Sequence, residues 1–331
     1  MNAELVFFAD LIAIFSIYLI INLSLNLEFG FAGIPNFGKV LAVGAGAFVM
    51  GIVPVTLYSV MLSIDADPIH DNFAVIHQIN QHIAAHPEFA FFVMGITVAT
   101  AMAVGIVLGL VSSYPAIRLR GDYLAITLLA FGEMIRIVGM NHEGLVGGTL
   151  GVAVPDVLSF APNEFRFLLF SLILLGIAGF VFFMVHRFTG SPVGRLLRAT
   201  RDDEIALQSL GRDTANIKIK TLMLAGCIGA VGGLLYAAYV EGVVAFGYNR
   251  LNWTFLPFVM VIVGGMANNK GVLVGTLIFV MLRKLVVFYN DSFAGLVPFD
   301  IIWLDYLLLG GIMLIVLLVK PRGIIPEKRQ R

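Results

Sequence analysis

The chain has 331 residues, and its 21 Lys and Arg balance 21 Asp and Glu for a formal net charge of zero. Hydrophobic residues make up 59% of it and charged residues 13%, against about 25% charged in a soluble domain; the mean hydropathy is +0.95. Most of its surface therefore cannot face water, which excludes a soluble globular protein and leaves an integral membrane protein.

Continuous apolar stretches point to helices, since a membrane β-barrel alternates apolar and polar residues over about ten positions. A spanning helix needs about 20 mostly apolar residues. Such runs occur at 5–26, 39–62, 89–113, 122–140, 166–187, 218–241, 253–268, 271–290 and 301–319. The expected fold is all-α, a polytopic transmembrane helix bundle in one domain over 1–331. Nine crossings is the working count, within a range of eight to ten, because the pair near 253–290 could be one span plus a re-entrant piece.

The first run opens with Glu4 and Asp10, and the first basic residue is Lys39. A secretory signal wants a basic start, so this run is expected to stay as a span. Between the first two spans, Gly33-Ile34-Pro35-Asn36-Phe37-Gly38-Lys39-Val40 follows P-loop spacing up to its last position. That position must be Ser or Thr, whose hydroxyl holds the magnesium ion; here it is Val40, so nucleotide binding is not expected.

The segment 63–88 is acidic and carries His70, His77, His82 and His86. His82 and His86 have the spacing that places two imidazoles on one helix face for a metal, but a solvated external loop is the preferred reading. Small residues recur at helix-packing spacing in Ala101, Gly105 and Gly109, in Gly226, Gly229 and Gly233, and in Gly271 and Gly275. In lipid such residues let backbones approach closely, so a tightly packed bundle is expected. Cys227 is the single cysteine, lies in an apolar run and can form no intramolecular disulfide; it is read as a small packing residue.

Ionisable groups inside a membrane are costly and often functional. Glu133 and Arg136 lie in the fourth span at i, i+3, close enough to pair on one face. Either Glu133 meets a substrate ammonium or the two only neutralise each other. Thr149, in the glycine-rich stretch that follows, is the third candidate for the substrate path. Arg283 and Lys284 are expected to snorkel to the outer interface, and Asp305 to be interfacial. No nucleophile with a paired base, no metal motif and no cofactor loop is present, so catalytic residues, metal ligands and enzymatic activity are not expected.

One polar island interrupts the oily sequence, from Ser191 to Lys220. Ser191 suits an N-cap, Pro192 the first helical position and Gly211 the residue past the end. Between them Val193, Leu197, Thr200, Leu207 and Leu210 recur at helical spacing and make one mostly apolar stripe. Such a helix can lie along a membrane surface or place its apolar face in a partner's groove. Cytoplasmic loops retain Lys and Arg. Placing the island inside puts 16 of the 21 basic residues there, Lys39 among them, with the N-terminus outside and the C-terminus in the cytoplasm. Topology accounts for the basic residues, and no nucleic-acid partner is expected.

Ser191-Pro192-Val193-Gly194-Arg195-Leu196-Leu197-Arg198-Ala199-Thr200-Arg201-Asp202-Asp203-Glu204-Ile205-Ala206, running on to Leu210-Gly211, resembles the cytoplasmic loop of branched-chain amino-acid ABC-transporter permeases of the LivM type. Asn26 to Gly33 with Gly38, Gly44 and Gly46 resembles that family's N-terminal glycine-rich stretch. Arg120 to Leu128 with Phe131, Glu133 and Arg136 resembles its central motif. Gly144 to Thr149 with Gly151, Gly264-Gly265-Met266 with Gly271 and Gly275, and Pro321-Arg322-Gly323 follow in the same order.

The resemblance implies a cell-membrane permease subunit of an ATP-driven importer for branched-chain amino acids. It implies a second permease subunit, two cytoplasmic ATP-binding subunits and an extracytoplasmic solute-binding protein as partners, within membrane lipid. No cofactor is implied in this chain, because ATP is bound by the partner subunits. The loop of about 188–217 would couple to the ATPase, with Glu204, Ala206 and Gly211 matching a Glu-Ala-Ala…Gly element and Arg201 and Asp202 beside them. Glu204 stands one position early, and Ile205 and Leu207 flank the alanine. A same-family permease for urea or short amides and an ion-gradient-driven secondary transporter are the alternatives.

Overall fold

The computed structural model describes residues 3–119, 121–288, 307, 310, 311, 314–316, 318–320 and 323–327. The long apolar helices are α1 (Ala3–Leu25), α2 (Lys39–Leu62), α4 (Pro87–Arg118), α5 (Gly121–Asn141), α7 (Asn163–Gly190), α10 (Thr214–Val240) and α12 (Asn269–Phe288). Shorter helices are α3 (Asn72–Ala85), α6 (Glu143–Val146), α8 (Pro192–Asp202), α9 (Glu204–Ser209) and α11 (Leu256–Gly264). Two π-helical turns, Asn26–Phe31 after α1 and Leu251–Phe255 before α11, widen the helices they join. The strand pair among the described residues, β1 (Val152–Ala153) against β2 (Gly242–Val243), is antiparallel.

Among the described residues seven helices are long and apolar enough to cross a membrane. The run expected to span at 253–268 instead forms a 14-residue apolar helix over Leu251–Gly264. At 1.5 Å per residue this covers about 21 Å, short of the roughly 30 Å hydrocarbon core. It ends where Gly265 adopts φ +124°, and α12 starts four residues later, which fits the re-entrant alternative. The expected span at 301–319 is described only in part, and Asp305, Arg120, Arg322, Lys328, Arg329 and Arg331 lie outside the described residues.

The centre of the bundle is α2 and α10, whose spanning windows are 78% and 72% buried against 22% for α4, α5 and α7. Lipid is as apolar as leucine, so helices associate through close backbone contact rather than through the hydrophobic effect. The expected small-residue faces make those contacts. Gly105 and Gly109 of α4 lie against the Gly226 and Leu222 carbonyls of α10, Gly233 of α10 against the Val43 carbonyl of α2, and Gly275 of α12 against Met260 and Gly264 of α11. A Cβ added at any of them would collide with a carbonyl oxygen. Cys227 is a buried free thiol within this packing.

The segment 63–88 is more ordered than the expected solvated loop. Its helix α3 buries Val75, Ile76, Ile79 and Ile83 against Val55 and Tyr58 of α2 and Ala90 and Val93 of α4. Asn72 Oδ1 accepts from Ala153 N at 2.7 Å and Asn80 Oδ1 from Asp156 N at 3.0 Å, so the helix is stitched to the β1 region. Apolar positions at i, i+1, i+4 and i+8 carried this signal between the histidines. At the same end of the bundle Lys284 Nζ lies 2.5 Å from Asp10 Oδ2, and Tyr239 also donates to Asp10. Lys284 thus has Asp10 as its partner, both side chains being partly exposed.

Replacing Gly46 by Leu drives a side chain into the Ala230 carbonyl of α10, an overpacking cost of about 3 kcal/mol. Gly95 has nothing within 4 Å of an added Cβ. Melting in detergent is expected to show a marked loss for Gly46→Leu and none for Gly95→Leu.

Candidate functional site

The interior is not purely apolar. Helix α1 and the π turn that follows it carry a buried polar ladder, Asn22 and Ser24 on the helix and Asn26 and Glu28 in the turn. In hydrocarbon each such group must find a partner within the protein. Asn22 donates to Thr276 Oγ1 at 2.7 Å and Ser24 to the Ala225 carbonyl at 2.9 Å. Asn26 donates to Asn269 Oδ1 and accepts from Ala267 N, both at 2.9 Å. Asn269 continues to Thr189 Oγ1 at 2.8 Å.

The ladder ends on an ion pair. Lys39 Nζ lies 3.2 Å from Glu28 Oε2 and 3.1 Å from the Ala225 carbonyl, and the two side chains are 0% and 1% exposed. Gly229 of α10 leaves the room, since an added Cβ would stand 3.1 Å from Lys39 Cε. Lys39 is therefore no solvated lysine marking the cytoplasmic side, which corrects its use in the topology count. Its ammonium is also committed to Glu28 and Ala225. Nothing in the sequence marks the two residues as a pair, because each charge sits at a helix end, where the interface normally solvates it.

The polar island forms two helices where one stripe predicted a single element. Ser191 caps α8, its Oγ accepting from Val193 N at 3.2 Å, and Pro192 opens that helix. Asp203 then breaks the run in extended conformation, and its Oδ1 accepts from Ile205 N and Ala206 N at 3.0 Å to cap α9. An Asp with free amides ahead of it favours a new cap over an uninterrupted turn. Leu197, Thr200 and Leu207 of the stripe are buried, whereas Val193 and Leu210 are exposed. Gly211 ends the unit at φ +76°.

The five residues singled out there divide into two groups. Asp202, Ala206 and Gly211 are exposed, beside Ile205 and Leu210 at 63% and 78% exposure. Arg201 and Glu204 turn inward. Glu204 pairs with Lys218 at 2.8 Å and accepts from Thr214 Oγ1 at 3.1 Å, tying α9 to α10. Arg201 donates to the Gly30 carbonyl at 2.8 Å, to Glu327 Oε2 at 3.0 Å and to Asp202 Oδ1 at 3.0 Å. Burial works against its charge, but the bonds to Asp202 and Glu327 outweigh this and hold its pKa above the ordinary value.

Glu133 and Arg136 pair along α5, with Arg136 Nε donating to Glu133 Oε1 at 2.6 Å. Both are partly exposed, and the guanidinium carbon lies 6.0 Å from the centre of the Phe246 ring. Thr149 is exposed in a left-handed glycine turn and borders an open hollow of about 280 Å³ with Ile69, His70 and Glu143. No hydrogen bond among the described residues joins it to the α5 pair. His82 and His86 lie with ring centres 5.0 Å apart, packed with Phe89.

These features define a multi-pass helical membrane protein with a bounded polar appendage at one end. Residues 7–317 match the family described as branched-chain amino acid transport system / permease component, and the chain belongs to that family. It is 39% identical over 316 residues to the probable branched-chain amino acid transport permease protein LivM of Methanocaldococcus jannaschii, covering 95% of this chain and 92% of that protein. It is 25% identical to the high-affinity branched-chain amino acid transport system permease protein LivM of Escherichia coli, over 97% of this chain and 70% of that one. No solved structure matches the chain.

Removing one partner of a buried ion pair strands the other charge, at a cost of about 3–5 kcal/mol. Lys39→Met is expected to lower the detergent melting temperature sharply. The double variant Glu28→Gln with Lys39→Met is expected to recover most of the loss, read in the same melts.

Proposed function

We propose that this chain is the membrane-crossing permease subunit of an ATP-driven importer for branched-chain amino acids, and that α8 and α9 form the element that docks into a separate ATPase. Family membership supports the importer reading. One observation carries the docking role: a twice-capped, two-helix appendage holds Ile205 and Leu210 out into solvent while Glu204, Leu207 and Arg201 fix it from behind. An apolar side chain exposed on a rigid polar element is a ready contact for a partner groove. Asp202, Ala206 and Gly211 share that outward surface and are proposed to contact the ATPase.

In this reading the end bearing α8, α9 and Glu327 faces the cytoplasm and the end bearing α3 and the strand pair faces outside. A second permease subunit completes the path, with the Glu133–Arg136 face of α5 along it and Thr149 at its outer rim. Two ATPases bind the nucleotide, and an external solute-binding protein delivers substrate.

Purification of the intact complex, followed by reconstitution in proteoliposomes with its binding protein, is expected to show ATP-dependent uptake of leucine, isoleucine or valine. Uptake of urea instead would overturn the substrate assignment. Absence of a co-eluting ATPase would overturn the importer reading. Gly211 has open space around it and needs only its positive φ, a conformation that costs a residue bearing Cβ about 1–2 kcal/mol. Gly211→Val is expected to reduce uptake while membrane insertion persists.

A further inference from the structure

Resting on the ATPase-docking reading above, we infer that Arg201 is the positioning residue through which movement of α8 and α9 reaches the membrane interior. Its guanidinium is shared among three segments of the chain. One nitrogen meets the Gly30 carbonyl in the π-helical turn that ends α1, a second meets Glu327 near the chain end, and the third meets Asp202 on its own helix. Its aliphatic stem lies on Gly33, where an added Cβ would come within 2.8 Å of Arg201 Cγ. Arg198, one turn earlier, places its guanidinium carbon 5.0 Å from the centre of the buried Phe31 ring and its Nε 2.9 Å from Glu327 Oε1. The two arginines straddle one π turn, and one carboxylate holds both.

That turn is also where the interior polar network converges. A Cβ on Gly30 would lie 2.7 Å from Ala267 N, the group that Asn26 accepts. The Glu28 carbonyl accepts from Ile34 N at 2.8 Å, and its carboxylate holds Lys39, which reaches the Ala225 carbonyl of central helix α10. Displacing Arg201 therefore pulls on a carbonyl two residues from Glu28 and four from Asn26. A π turn carries one residue more per hydrogen-bonded ring than an α turn and recurs at functional sites. A change of this turn toward α-helical geometry is the local rearrangement that such a pull would drive. A planar fork matches three acceptors at fixed directions, which a lysine ammonium on a flexible stem does not.

The test is the ratio of uptake to ATP hydrolysis in the reconstituted complex. Loss of folded protein lowers both rates together, whereas loss of transmission lowers their ratio. Arg201→Lys is expected to keep the ATPase bound and hydrolysing while uptake per ATP falls about fivefold or more. Arg195→Lys, at an exposed position of the same helix, is expected to leave the ratio unchanged. Glu327→Gln, which frees both arginines on one side without touching the spans, is expected to lower the ratio in the same direction. A wild-type ratio in Arg201→Lys, or in Glu327→Gln should the first variant fail to insert, would overturn the inference. So would loss of ATPase co-elution from Arg201→Lys, because Arg201 would then belong to the docking surface. A wild-type complex with no ATP-coupled uptake would instead sink the importer reading itself, and this inference with it.

Discussion

A hydrocarbon interior supplies no hydrogen bonds, so every polar group placed there must be answered by another part of the chain. Helix α1 turns this constraint into architecture. The Asn22 amide nitrogen and Ser24, with Asn26 and Glu28 in the π turn that follows, are answered in turn by α12, α10, the segment after α11 and the start of α2. Each bond is short and directional, so together they define where those elements sit along α1. Apolar contact alone would let the helices slide, since lipid competes for every methyl group on nearly equal terms.

Close backbone approach works in the same direction. Where glycine faces a carbonyl, as at Gly105, Gly226 and Gly233, two helices meet at one depth and one rotation. The Lys39 head depends on that economy of volume, because Gly229 leaves it the space to reach Ala225. The polar network and the glycine faces thus specify one packing from two independent kinds of contact. Outside the membrane the same specificity is reached with caps: Ser191 and Asp203 start α8 and α9, and Asp213 starts α10 by accepting from Asn216 N at 3.0 Å.

Much of this was legible in the residues. Apolar run length located the seven long helices, and the small-residue spacing identified the faces that touch. Capping chemistry placed the start and end of the polar island. What escaped had physical reasons. A single apolar stripe over Val193 to Leu210 hid the break at Asp203, because a short bend preserves the periodicity on either side. The run at 253–268 looked like a span because hydropathy counts apolar residues without asking whether a glycine ends the helix. Glu28 and Lys39 stand eleven residues apart across a Pro-Gly loop, and only the folded loop brings them together. The inward turn of Arg201 was equally invisible, since its acceptors are a main-chain carbonyl and a carboxylate 126 residues away.

The pairing of Glu133 with Arg136 along one helix has a further meaning on the proposed path. Both charges belong to α5, so they neutralise each other within one helix and need no group from a neighbouring one. A free amino acid is itself a neutral pair of opposite charges. It would meet here not a fixed charge that grips one of its ends but a small dipole lying along the wall. On that proposal the wall would hold a zwitterion only loosely, as a passage requires.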